Sequence, residues 1–160
     1  MRSTAIYGIL TLLLCTPLFA DPPGYRGVTL GMNRSEAMEQ MKSEFPDAEA
    51  PSIFEDKKVT MVILKNPDAE HQKITLHFHP NGKLFGINVT VPVGKEEMRK
   101  TLSSQLGAPD RESKRGHSWD LGRYRVITTA FVKGEITVKY SDREAYDIYG
   151  RPWLEKEKEK

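Results

Sequence analysis

The sequence predicts an α+β fold, in which two tandem helix-plus-three-strand units form a two-layer domain with one antiparallel sheet. Two observations support this prediction. Apolar residues recur at every fourth position in two separate stretches, as they do on the buried stripe of an amphipathic helix. Each stretch precedes runs in which apolar and polar residues alternate, as they do along half-buried strands. We place the two units at about residues 27–91 and 92–141.

Residues 1–20 have the pattern of a cleavable export signal. Arg2 supplies a positive charge, and the apolar stretch that follows at 6–14 is too short to cross a bilayer. Ala20 is a small residue at which a peptidase can cut. The signal therefore predicts a periplasmic or secreted protein, whose single domain covers residues 21–145 and has no stable membrane span. An uncleaved membrane anchor is the alternative.

The cysteine content and the charge limit the classes of function. Cys15 is the only cysteine, and Leu14 before it is larger than the residue that a lipoprotein signal favours. Cleavage removes this cysteine, which excludes thiol catalysis and thiolate metal ligation in the mature chain. The net charge of +2 gives no electrostatic reason to expect binding to nucleic acid.

The first unit begins with a strong helix signal. Asn33 is a favourable N-cap residue, and Glu36 three positions later completes a capping-box pattern. Pro46 ends the helix, and we expect residues 47–57 to form a polar loop. The expected apolar stripe of this helix consists of Ala37, Met41 and Phe45.

Three strand signals follow the loop, at about residues 59–64, 74–79 and 85–91. Asn81 and Gly82 form a strong turn signal, so the second and third strands are expected to make an antiparallel hairpin. Simple alternation places Phe85 on the face that packs against the helices. The residues expected on the opposite face are Thr75, His77, His79, Asn88 and Thr90.

The second unit repeats this order in a shorter form. A helix is expected after Gly94, and Gly107 with Pro109 ends it. Strand signals then occur at about residues 118–121, 124–131 and 135–140. Its apolar stripe consists of Met98, Leu102 and Leu106. We expect residues 146–160 to form a charged C-terminal tail, with the aromatic residues at its start docked on the domain.

Part of this pattern resembles known exported proteins. The segment from Gly27 to Asn33, just before an amphipathic helix, resembles the opening of small BamE/SmpA-type proteins. The doubled helix-and-strand unit is similar to the architecture of β-lactamase-inhibitor proteins (BLIP-like). Both resemblances imply a helical layer on an antiparallel sheet and action by binding other proteins. The chain differs from both families, because its mature part has no lipid-attachment cysteine and no cysteine pair.

The open face of the predicted sheet is the candidate functional surface. A polar face with a few aromatic residues is typical of protein recognition. The sequence therefore predicts a non-catalytic protein of the cell envelope that binds another envelope or secreted protein and needs no cofactor. The candidate binding residues are His77, His79, Asn88, Trp119, Tyr124 and Lys139.

The sequence is also compatible with two other classes of function. His77 and His79 lie two positions apart on one strand, so both rings project from the same face, and such a pair can chelate a metal ion. His71 and His117 are the other histidines that could join them. A small secreted hydrolase or nuclease could use His77 or His79 with Lys139, although no Gly-x-Ser-x-Gly motif occurs.

Overall fold

A computed structural model describes residues 21–130 and 134–150 of the chain. Strand makes up 44% of this structure and helix 24%, so the chain is mostly β and the predicted α+β class is wrong. The export signal, the end of the predicted strand at 124–131 and the part of the tail after residue 150 lie outside the described residues. No described helix has the length and apolar character needed to cross a membrane.

The described elements form two sheets and a few short helices. The small sheet contains β1 (Gly24–Tyr25) and β2 (Val28–Thr29). The main sheet contains β3 (Ser52–Glu55), β4 (Thr60–Asp68), β5 (His71–Phe78), β6 (Leu84–Val91), β7 (Arg111–Glu112), β8 (His117–Leu121), β9 (Tyr124–Thr129) and β10 (Ile136–Asp142). The helices are α1 (Arg34–Glu44), α2 (Lys95–Leu106) and α3 (Arg143–Ala145), which continues into a π-helical turn at Tyr146–Gly150.

The main sheet is antiparallel throughout, with the strand order β3-β4-β5-β6-β10-β9-β8-β7. The strands β6 and β10 pair at its centre, although they are distant in sequence. The short strands β3 and β7 form the two edges. Each long helix therefore precedes four strands of this sheet.

The two edge strands explain part of the error in the predicted fold. The strand β3 lies within residues 47–57, which the sequence predicts as a polar loop, and β7 lies just after α2. All side chains of both strands are exposed, so neither strand shows the apolar alternation that marks a half-buried strand. Each long helix is thus followed by four strands of the main sheet, whereas the sequence predicts three.

Two local predictions are confirmed. Glu36 donates its backbone N–H to Asn33 Oδ1 at 3.0 Å, and Asn33 donates its own N–H to Glu36 Oε2 at 3.0 Å, which completes the capping box of α1. Such a cap contributes about 1 kcal/mol to helix stability. The turn at Asn81 and Gly82 joins β5 and β6 into the predicted antiparallel hairpin, with Gly82 at a φ of +80°.

The hydrophobic core lies between the main sheet and the helices α1 and α2. Met41 of α1 and Leu102 of α2 pack in one cluster with the inward side chains of the strands, such as Leu76 and Val138. Burial of each large apolar side chain contributes about 1.5–3 kcal/mol. This packing fixes one face of the sheet as the helix side. We call the opposite face of the main sheet the far face.

One corner of the far face is covered by the C-terminal segment. The aromatic residues Tyr146 and Tyr149 of this segment dock on the domain, as the sequence predicts. They pack together with Ala145 against the strand residues Val59, Met61 and Phe85. The predicted two-layer arrangement is therefore wrong at this corner, where a third layer is present.

A β-bulge explains why Phe85 lies on the far face. His77 pairs with Gly86 and Phe78 pairs with Leu84, so Phe85 is an extra residue between two regular pairs. A bulge of this kind interrupts the alternation of side chains between the two faces. Phe85 thus joins the cluster under the C-terminal segment, and its predicted position against the helices is wrong.

Trp119 and Tyr124 pack on the helix side of the sheet, which contradicts their predicted place on the binding face. Trp119 is 1% exposed, and its indole Nε1 donates to the carbonyl oxygen of Gly107 at 2.9 Å. Tyr124 packs against the same core, and the Arg123 guanidinium lies 5.7 Å from its ring centroid. Both aromatic residues therefore contribute to stability.

We expect Trp119→Ala to lower the free energy of unfolding by about 3–5 kcal/mol, because it leaves a large cavity in the core. Urea denaturation followed by circular dichroism would measure this loss. Ser118→Ala is the matched control, since its side chain lies on the far face and its loss should change stability by less than about 0.5 kcal/mol. Equal stability of the two variants would contradict the assignment of Trp119 to the core.

Candidate functional site

The candidate site lies on the far face, beside the corner that the C-terminal segment covers. Here β5, β6, β10 and β9 form the floor of a pocket with a volume of about 310 Å³, which we call the central pocket. Tyr146 and Asp147 of the C-terminal segment line one side of it. The pocket is thus built by the middle of the sheet and closed on one side by the end of the described chain.

The strand register aligns polar residues across the floor in two rows. In one row Asn88 of β6 lies opposite Lys139 of β10, which in turn lies opposite Ile127 of β9. In the adjacent row His77 lies opposite Gly86. Because directly opposed residues of antiparallel strands project from the same face, these side chains meet although their strands are remote in sequence.

Gly86 makes room for the pocket next to His77. A Cβ atom at this position would lie 3.4 Å from the Cβ of His77, and a longer side chain would project over the floor. The same row continues to Ser141 of β10 and Arg125 of β9. The absence of a side chain at Gly86 therefore leaves open space in this row, between His77 on one side and Ser141 and Arg125 on the other.

His77 is held as an uncharged hydrogen-bond acceptor. Asn88 Nδ2 donates to His77 Nε2 at 3.0 Å, which assigns the ring proton to Nδ1. Burial, and to a smaller extent the positive charge of Lys139, lowers the pKa of His77 from 6.5 to about 4. At neutral pH the imidazole is therefore a polar, neutral part of the floor.

Lys139 is the charged group at the centre of the floor. Its side chain is partly buried, and this burial lowers the pKa of its ammonium group below the ordinary value. A desolvated ammonium group interacts more strongly with an anion than one in bulk water, because the local dielectric constant is lower. The strand register places this charge between Asn88 and Ile127 on the floor of the pocket.

A second depression of about 410 Å³ continues the site toward the β7 edge, and we call it the lateral pocket. It shares Arg125, Ile127 and Thr129 with the central pocket. Five basic and three acidic side chains line the two pockets, so the surface is positive overall. The basic ones are Arg111, Arg115, Arg125, Lys139 and Arg143, and the acidic ones are Glu112, Asp120 and Asp147.

Asp120 orients two of these arginines. Arg125 Nε donates to Asp120 Oδ1 at 2.8 Å, and Arg143 Nη1 lies 3.8 Å from the same oxygen. The hydrogen bond from Arg125 holds the pKa of Asp120 below its usual range, so this carboxylate stays charged. A guanidinium carries five N–H donors, so a bond through Nε leaves most of them available for another acceptor.

The structure brings together three of the six predicted binding residues. His77, Asn88 and Lys139 line the central pocket. His79 lies beside the pocket. The centroid of its ring is 4.3 Å from that of Tyr149 and 5.2 Å from that of Phe85, so His79 contacts the C-terminal segment. The remaining two, Trp119 and Tyr124, belong to the core on the other side of the sheet.

Arg125, Ile127 and Arg143 are site residues that the sequence reasoning missed. A signal for the first two is present in β9, where buried Val126 and Thr128 alternate with them. This alternation has the same period as that of β6, but the apolar Ile127 on the far face obscures it. Arg143 comes from α3, whose three residues carry no helix pattern.

The other histidines do not meet His77 and His79. His71 is buried between the hydroxyl of Tyr25 and Asp68, whose Oδ1 lies 2.5 Å from His71 Nδ1. His117 is buried beside Thr128. Within the described ranges no group of three or more histidine, cysteine, aspartate or glutamate residues is arranged to hold a metal ion.

No protein-family model, curated protein or solved structure matches this chain in comparisons with known proteins.

We expect His77 to make stability depend on pH between about 6.5 and about 4. In this range the unfolded chain binds a proton at His77 and the folded chain does not, so acidification favours unfolding. The loss approaches about 3 kcal/mol over the whole range. His77→Gln keeps an acceptor for Asn88 and should flatten this dependence in urea denaturation at a series of pH values.

His79→Gln is the control for this measurement. Burial also lowers the pKa of His79, but less strongly than that of His77, so its loss should flatten the dependence less. If the His77→Gln curve runs parallel to that of the unmodified protein from pH 7 to pH 4, the imidazole of His77 is not desolvated in the way described.

Proposed function

We propose that this protein is a non-catalytic exported protein of the cell envelope that binds another envelope or secreted protein on its far face. The observation that carries this proposal is the central pocket, where His77, Asn88 and Lys139 come from three adjacent strands. Rigid strands hold these polar groups beside the apolar side chain of Ile127. Such a combination of apolar floor and placed polar groups is typical of a binding site.

The charge of the two pockets favours an acidic segment of the partner. The five basic side chains that line the two pockets outnumber the three acidic ones, and Arg125 and Arg143 place guanidinium groups at the side of the central pocket. Charge-assisted hydrogen bonds from arginine to carboxylates are about twice as strong as neutral ones. We therefore infer that carboxylate side chains of the partner dock in these two pockets.

The hydrogen bonds of the histidines support binding more than catalysis. The partner of His77 is the amide of Asn88, which cannot stabilise an imidazolium as a carboxylate would. Ser118 and His117 are neighbours in sequence, but they project to opposite faces of β8. Neither His77 nor the neighbouring Ser118 and His117 is thus arranged for proton transfer.

The metal-binding alternative has less support from the same contacts. The ring of His77 is hydrogen-bonded to Asn88, whereas the ring of His79 packs edge-on against Tyr149. A metal ion at His77 Nε2 would have to displace the hydrogen bond from Asn88. The protein-binding proposal requires no such rearrangement.

A site-specific photo-crosslinker tests where the partner binds. We expect a benzoylphenylalanine residue at Thr129, which lines both pockets, to give a defined crosslinked protein when irradiated in intact cells. The same probe at Lys100, on the exposed surface of α2, is the matched control and should not give that product. Mass spectrometry of the crosslinked peptide should locate the attachment in an acidic segment.

Calorimetry with the purified partner then tests the role of Lys139. We expect Lys139→Gln to weaken binding about tenfold, since it removes a partly desolvated charge, and Lys100→Gln to leave binding unchanged. Affinity should also fall as salt concentration rises. The proposal would be contradicted if both probe positions gave the same crosslinks or if the crosslinked species were a nucleic acid. Unchanged affinity of the Lys139→Gln variant would also contradict it.

A further inference from the structure

The outer edge of β3 is an unprotected edge of the main sheet. On this side β3 has no strand partner in the described part of the chain, so its outward N–H and C=O groups are available for pairing. Its neighbouring apolar residues Ile53 and Phe54 are 49% and 55% exposed. Large apolar side chains at this exposure are unusual on a sheet edge, because such edges promote association.

The opposite edge of the sheet is protected in the usual way. The strand β7 has only two residues, Arg111 and Glu112, and both are charged and exposed. Short, charged edge strands resist the addition of a further strand. The contrast between the two edges indicates that β3 is the one suited to pair with another strand.

The apolar side chains of β3 extend to both faces of the sheet. Ile53 lies opposite Val62, which packs in the core on the helix side. Phe54 lies opposite Met61, which packs on the far face. A strand added at this edge would therefore cover apolar surface above and below, in addition to its backbone hydrogen bonds.

The charges around β3 complement each other when two copies pair antiparallel. Asp47 and Glu49 precede the strand, and Asp56, Lys57 and Lys58 follow it in the turn to β4. Asp56 Oδ1 accepts the backbone N–H of Lys57, and the two lysines leave this end of the strand with a net positive charge. Antiparallel pairing of two identical strands places the acidic start of one beside the basic end of the other, twice. Parallel pairing would instead place like charges together, which is unfavourable.

The remaining charge on the strand already has a partner. Arg34 Nη1 of α1 donates to Glu55 Oε1 at 2.7 Å, on the helix side of the sheet. This ion pair satisfies Glu55 within its own chain. An incoming strand therefore does not have to neutralise a carboxylate in the middle of the contact.

From these observations we propose that β3 is a self-association site, at which a second copy of this chain adds its own β3 in antiparallel orientation. The two main sheets then join into one continuous sheet about a two-fold axis. The contact lies at the edge of the sheet, away from the central pocket. It is therefore independent of the proposed binding function, and both can operate at once.

Charge exchange across the contact is the most specific test. The start variant carries Asp47→Lys with Glu49→Lys, and the end variant carries Lys57→Glu with Lys58→Glu. Each variant places like charges together in its own dimer, so we expect sedimentation velocity to show a dimer dissociation constant at least tenfold higher than that of the unmodified protein. An equimolar mixture should form a heterodimer, because its charges are again complementary.

Two further variants complete the experiment. The chain with all four substitutions should dimerise as the unmodified protein does. Lys100→Glu with Lys114→Glu changes the charge by the same amount as the end variant at exposed positions remote from β3, and should leave the dimer intact. Thermal unfolding of every variant checks that the fold is retained, which is expected because all the substituted side chains are exposed.

The apolar part of the contact is tested by Ile53→Lys, which should shift the protein to monomer at concentrations where the unmodified protein is a dimer. The proposal is overturned if the unmodified protein sediments as a monomer up to millimolar concentration. It is also overturned if the start variant alone and the end variant alone each form homodimers as tightly as their equimolar mixture forms heterodimers.

Discussion

The structure depends on the burial of one face of the main sheet under α1 and α2. This packing fixes which side chains of each strand point inward, and alternation then assigns the others to the far face. His77, Asn88 and Lys139 occupy the same pocket because each lies next to inward residues that the core holds in place. The position of the candidate site is therefore a consequence of the core.

Sequence patterns predicted what is determined locally. The capping box at Asn33 and the turn at Asn81 depend on residues three or four positions apart, and both are present. The sequence carries no signal for the edge strands, because their exposed residues need no apolar alternation. Alternation alone puts Phe85 on the helix side, whereas the bulge shifts the register and places it on the far face. The side of the sheet that Trp119 takes is set by long-range pairing, which a short window of sequence does not contain.

The far face contains polar groups that are costly to bury. Desolvation lowers the pKa of both His77 and Lys139, which means that the fold makes protonation of each of them less favourable. A sheet face built only for stability would avoid this cost by placing apolar residues at the same positions. Retention of a neutral imidazole, an amide and an ammonium group on one floor fits a surface that selects its ligand by charge and hydrogen bonding.

The central position of β10 has a consequence for how the chain folds. This strand is the last of the sheet in sequence, yet it lies between β6 and β9 and connects the early strands to the late ones. Until residues 136–142 are in place, β6 is an open edge and the two parts of the sheet are not hydrogen-bonded to each other. Such dependence on contacts between distant segments slows folding. A chain shortened before β10 lacks the strand that joins the two parts of the sheet.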